Sequence, residues 1–173
     1  MEFSINKSIE ILERTPNVLI QFTRDLSDEW TNVNEGGETW SVYDVIGHLL
    51  EGEKTDWTVR TKIILSDGDK NFTPFDRFAQ FETSNGKTLT QLLDEFKTAR
   101  EINLQQLRSL NISVSDLAKT GIHPTFGMVT LSQMLSTWVV HDLDHISQIS
   151  RIMAKQYKHQ TGPWIEFLKI LRQ

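Results

Sequence analysis

At three points along this chain an apolar stripe of helical period starts at a hydroxyl residue that is followed, three positions later, by an acid or amide. The pairs are Ser41 with Asp44, Thr88 with Gln91, and Thr130 with Gln133. A hydroxyl that accepts from the third backbone N–H, answered by a side chain that reaches back, is the capping box of a helix N-terminus. After Ser41 come Val45, His48, Leu49, Gly52, Val59 and Ile63, predicting a helix over about 41–65. After Thr88 come Leu89, Leu92, Leu93, Phe96, Ile102, Leu107 and Leu110. After Thr130 the stripe runs through Leu131, Leu135, Trp138, Ile149 and Ile152, ending near Tyr157. Residues 5–26 carry a fourth stripe, which Thr15-Pro16 kinks or restarts because proline fits only a first turn. The spacings are those of amphipathic helices, and no run alternates as a strand does. The expectation is an all-α four-helix bundle, one domain over residues 1–173, with a short terminal helix opened by Gly162-Pro163-Trp164. The segments at 32–39 and GIHPTFGM read as loops. The long connection after residue 65 carries Pro74 and four phenylalanines, so it is expected to pack over something.

The chain has no cysteine, which removes disulfides, thiolate nucleophiles and cysteine zinc sites. Any metal must sit on His, Asp or Glu. A net charge of −5, with Lys and Arg scattered, argues against a nucleic-acid partner. The start lacks the pattern of a signal peptide and no stretch is apolar enough to span a membrane, so the expected location is cytoplasmic.

Chemistry concentrates in WVVHDLDHISQISRI, residues 138–152. Four residues turn a helix by about 400°, so His141 and His145 point the same way, one turn apart. Trp138, Gln148 and Ile152 share their line, which makes it an inward face. His48 lies on the apolar face of the second helix. Three inward imidazoles need partners, and one divalent cation serves all three. A three-histidine set leaves a further coordination position open for water or substrate. Glu51, one turn from His48, and Asp144, beside His145, are candidate bases or acceptors for an imidazole N–H, or else solvated acids. Asp142 carries the same two readings, and Gln148 either orients substrate or satisfies a core polar group. Gly52 either leaves room for the open position or packs a helix. His123 in its loop approaches the site or is exposed, and Arg60 and Arg151 face an anionic cosubstrate or form a charged helix edge. Serine-hydrolase, Walker, dinucleotide and HExxH motifs are absent.

TWSVYDVIGHLLEGE and HPTFGMVTLSQMLSTWVVHDLDHISQISRI, with the Thr-Pro of the first helix and the late Gly-Pro-Trp, resemble the DinB superfamily and its YfiT-like group, described as metal-dependent hydrolases. The resemblance implies metal ligands at His48, His141 and His145, a bundle whose middle helices are joined by a long crossover, and a homodimer. The implied metal is zinc or nickel, with manganese or iron as further options. Some relatives of that kind are low-molecular-weight-thiol S-transferases using bacillithiol, mycothiol or glutathione, which makes a small-molecule substrate and a thiol the expected partners. The alternatives are a hydrolase using metal-activated water and a non-catalytic metal- or ligand-binding stress protein.

Overall fold

The computed structural model describes residues 2–172 and is an all-α four-helix bundle with one small hairpin. The first bundle helix is split into α1 (Ile5–Leu12) and α2 (Thr15–Thr23), with Pro16 in the first turn of α2, where a missing N–H costs nothing. A short α3 (Asp28–Thr31) follows. The second bundle helix is α4 (Val42–Thr55) continued by α5 (Trp57–Leu65). The single helix expected over 41–65 is thus interrupted at Asp56. Thr55, Asp56 and Thr58 are poor helix-interior residues, and the Thr55 hydroxyl turns back onto the Glu51 carbonyl at 2.9 Å. After the short α6 (Gln80–Thr83) come α7 (Leu89–Ser109) and α8 (Leu131–Gln156). All three capping boxes form as the sequence predicts.

The segment expected as a loop at residues 121–128 lies in a hairpin, β1 (Thr120–His123) paired antiparallel with β2 (Gly127–Thr130). Four residues are too few to display an alternation, and Gly127, with φ of 71°, supplies the turn. The long connection packs against this hairpin. Phe72 is buried, its N–H donates to the Ile122 carbonyl at 2.9 Å, and Ile122 donates back to Lys70 at 2.8 Å. Gly121 is obligatory beneath it, because a Cβ there would stand 2.4 Å from the Phe72 ring.

α4 packs on α7 and α8, α2 on α7, α1 and α5 on α8. Two apolar clusters result. One joins Leu12, Trp57, Leu104, Leu131 and Trp138, and the other joins Leu19, Ile46, Leu49, Leu93, Phe96 and Ile149. Trp57 stacks on Trp138 at 5.8 Å and 8°. The short terminal helix expected from Gly162 is a 3₁₀ turn spanning Gly162–Glu166, in which Trp164 is largely exposed. No helix among the described residues is long and apolar enough to cross a membrane.

Candidate metal centre

α4 brings His48, and α8 brings His141 and His145, to one point between the two helices. The Nε2 of His141 stands 3.2 Å from the Nε2 of His48 and 3.1 Å from that of His145. His48 and His145 are buried. Trp40 and Phe75 flank His48, at ring separations of 4.8 and 5.4 Å, and Trp57 stands edge-on to His141 at 5.1 Å.

The protons decide what such a cluster can hold. His145 Nδ1 lies 2.7 Å from Gln148 Oε1, so Nδ1 carries the proton and Nε2 presents a lone pair. His141 Nε2 then faces two other ring nitrogens and has at most one proton to share. Hydrogen bonding alone cannot satisfy three converging nitrogens, whereas one cation can. Imidazole–metal distances of about 2.0–2.1 Å place tetrahedral ligand nitrogens about 3.3 Å apart, close to the separations observed. The residues therefore fit a divalent ion. Burial pushes His48 down to about 3 and His141 down to about 2, helped by repulsion from His145, and burial also lowers His145. All three are neutral at pH 7, the form in which imidazole ligates a metal.

These depressed values make a stability prediction. The unfolded histidines titrate near 6.5, so as pH falls below that point the unfolded chain takes up protons that folded His48 and His141 refuse. Stability of the metal-free chain is full above pH 6.5 and declines toward pH 3, by about 1.4 kcal/mol per pH unit for each of the two. Urea midpoints of chelator-treated protein at pH 7.5 and 5.5 measure it. A midpoint that does not fall would show that the pair is not buried and neutral.

Two cavities of different lining meet at the histidines. His48 and His141 line an apolar chamber of about 270 Å³ walled by Trp57, Phe72, Phe75, Phe126, Val129 and Met134. His48 and His145 line a wider, more polar cavity of about 800 Å³, which adds the charged and amide side chains Arg77, Asp144, Gln148 and Arg151 to the aromatic Trp40. His48, Phe75 and Phe126 belong to both.

The other candidates are distributed as follows. Glu51 accepts from the Thr83 hydroxyl at 3.3 Å, turned toward α6 and lining neither cavity. Asp144 is exposed on the polar cavity beside His145. His123 is in the chamber wall, its Nδ1 accepting from Thr125 N–H at 3.1 Å. Arg60 is also in that wall but buried and paired with Asp56. Arg151 forks onto Glu35 with two bonds of 2.9 Å. Asp142, read as a histidine partner or a surface acid, is neither: it is fully buried and held by Arg100 at 2.6 and 2.9 Å.

That ion pair opens a network the sequence reading did not single out. Arg100 Nη2 donates to Glu53 at 2.8 Å, and the Trp138 indole donates to the same carboxylate at 3.0 Å. Asn103 donates to Glu53 Oε2 at 2.9 Å, and Thr58 donates to Asn103 at 3.0 Å. The available signal was a polar interruption of an apolar stripe: Arg100 and Asn103 fall four and seven residues after Phe96, on the face that carries Leu107.

A four-helix bundle with three converging imidazoles in its core defines a class of metal-site bundles. The DinB superfamily model matches residues 11–149, and the chain belongs to that superfamily. Its relatives include a protein of Oceanobacillus iheyensis, 22% identical over 161 residues and covering 88% of this chain and 87% of that one. Another, from Bacillus cereus, is 24% identical over 154 residues, covering 87% and 86%. Both are named "Putative metal-dependent hydrolase". Among solved structures, YfiT of Bacillus subtilis superposes with a TM-score of 0.75 at 21% identity, covering 93% of this chain and 91% of that one. Its title describes a "probable metal-dependent hydrolase with an unusual four-helix bundle topology".

Proposed function

We propose that His48, His141 and His145 hold one divalent ion, zinc or nickel, and that the protein is a low-molecular-weight-thiol S-transferase of the bacillithiol type. The carrying observation is that two unlike cavities meet at His48. A hydrolase needs room for one substrate and a water. A transferase must bring together a polar thiol and an apolar electrophile, and the two cavities are divided in that sense.

A bound ion would supply Lewis acidity, lowering the pKa of a coordinated thiol. The chain does the rest. Gln148 fixes the tautomer and ring orientation of His145. Arg77, exposed and stacked over Trp40 at 5.7 Å, has no carboxylate partner among the described residues and offers its guanidinium to an anionic group of the thiol. Asp144 on the same cavity is placed to take the thiol proton. Phe75 and Phe126 line both cavities and form the aromatic boundary between them. The sulfur–carbon bond forms as the electrophile's halide leaves with its electron pair.

The second reading, hydrolysis by an activated water, is favoured by the relatives' names, and it would use Asp144 as the base. A matrix of thiols against chlorinated and bimane electrophiles, run beside an ester and amide panel, separates the two. The transferase reading expects conjugation only when one particular thiol is present. Ester or amide turnover without any thiol would replace it with the hydrolase. Metal uptake with neither activity would leave a binding protein.

A further inference from the structure

The geometry points to the apolar chamber as the seat of an uncharged, ring-sized group of the substrate, with Gly52 setting its size. The inference rests on the catalytic reading above only for what it means for substrate choice.

Two glycines interrupt α4, and each costs a helix interior about 0.5–1 kcal/mol relative to alanine, so each needs a reason. Gly47 has an ordinary one. A Cβ there would stand 2.5 Å from Ser84 Oγ and 3.2 Å from Gln80 Cβ, so α6 closes directly onto it. Gly52 is different. Its Cβ would meet only the Trp57 indole, at 3.2 and 3.9 Å, with no other residue within 4 Å. That indole, at the start of α5, is itself part of the chamber wall, and no other helix presses on Gly52. It faces the chamber one turn beyond His48, and a side chain there would occupy the space.

The wall settles the chemistry of the occupant. Several of its polar atoms beyond the two histidines are already engaged. Arg60 pairs with Asp56 and lies over the Phe72 ring at 5.1 Å. Thr137 donates to the Gln133 carbonyl at 2.8 Å, and Gln133 Oε1 accepts from Thr130 N–H at 2.9 Å. His123 Nδ1 accepts from the hairpin turn at 3.1 Å. The remainder is aromatic and aliphatic. An apolar cavity of about 150 Å³ already accommodates benzene and stays dry otherwise. This chamber, at about 270 Å³, takes a group of one or two rings. A charged group would be stripped of water there, and the one carboxylate of the wall, Asp56, is already neutralised by Arg60.

Toluene is the probe, with N-methylpyridinium as a charged control of the same size. Binding is followed by the NMR shift of the Met134 methyl group, and metal content is measured on the same samples. The expected result is a saturable toluene shift in wild type that N-methylpyridinium does not produce. Gly52→Val should weaken toluene at least tenfold while retaining metal. Thr137→Phe, which fills the chamber from an exposed position of α8, should do the same if Gly52→Val fails to fold. Undiminished toluene binding in a folded variant, or N-methylpyridinium binding as tightly as toluene, would overturn the assignment. Toluene bound by a chain that takes up no metal would uphold the chamber and sink the catalytic reading. Metal taken up without toluene binding would do the reverse.

Discussion

Arg100→Ala is expected to cost the fold about 3–5 kcal/mol, the usual cost of removing one partner from a buried ion pair. Arg100 is 1% exposed and lies under the histidines, bonded at once to Glu53, Asp142 and the Leu12 carbonyl. Burial works against its charge, but Glu53 and Asp142 more than offset this and hold the guanidinium above its ordinary value. Without it, two carboxylates stay in a core where neither can reach water. Chemical denaturation measures the loss. The same ledger predicts a partial rescue when Glu53→Gln and Asp142→Asn accompany Arg100→Met, since uncharged groups of similar volume remove the stranded charge. An Arg100→Ala midpoint within error of wild type would show that the network carries no load. One guanidinium against two carboxylates also leaves an excess of one negative charge next to His141. Removing Arg100 deepens that negative field, so charge alone predicts no loss of metal retention in a variant that stays folded.

The second large effect falls on the ligands themselves. His48→Ala alone, and His141→Ala with His145→Ala, are each expected to abolish tight metal binding and turnover while leaving a helical fold. His48 sits on α4 and the other two on α8, so the two variants remove the site from opposite sides. Plasma mass spectrometry reads the metal and circular dichroism reads the fold. Retained affinity in His48→Ala would exclude a site shared between the helices.

The helices were legible because their signals are local. Ser41, Thr88 and Thr130 announce N-termini within four residues, and long stripes average over irregularities. The histidine cluster was legible in outline, since a spacing of four on an inward face already fixes two rings, and His48 on the apolar face of the second helix supplied the third. What stayed hidden depends on contacts distant in sequence. Asp142 looked like a partner for its neighbour His141, yet one step along a helix turns a side chain by about 100°. It points instead to Arg100, 42 residues away. Glu51 shares the outline of His48's face, but Thr83 of the long connection captures it. The hairpin escaped notice because four-residue strands carry no period, and its role as chamber wall follows from Phe72 lying on Gly121.

The central claim is that three imidazoles converge because they hold an ion. The most direct test is the metal content of untagged wild-type protein, as purified and after loading with zinc, nickel and manganese. The account predicts about one divalent ion per chain, retained through gel filtration. A chain that holds none after loading, with its fold intact, would contradict it and leave HDLDH as a buried polar patch of the bundle core.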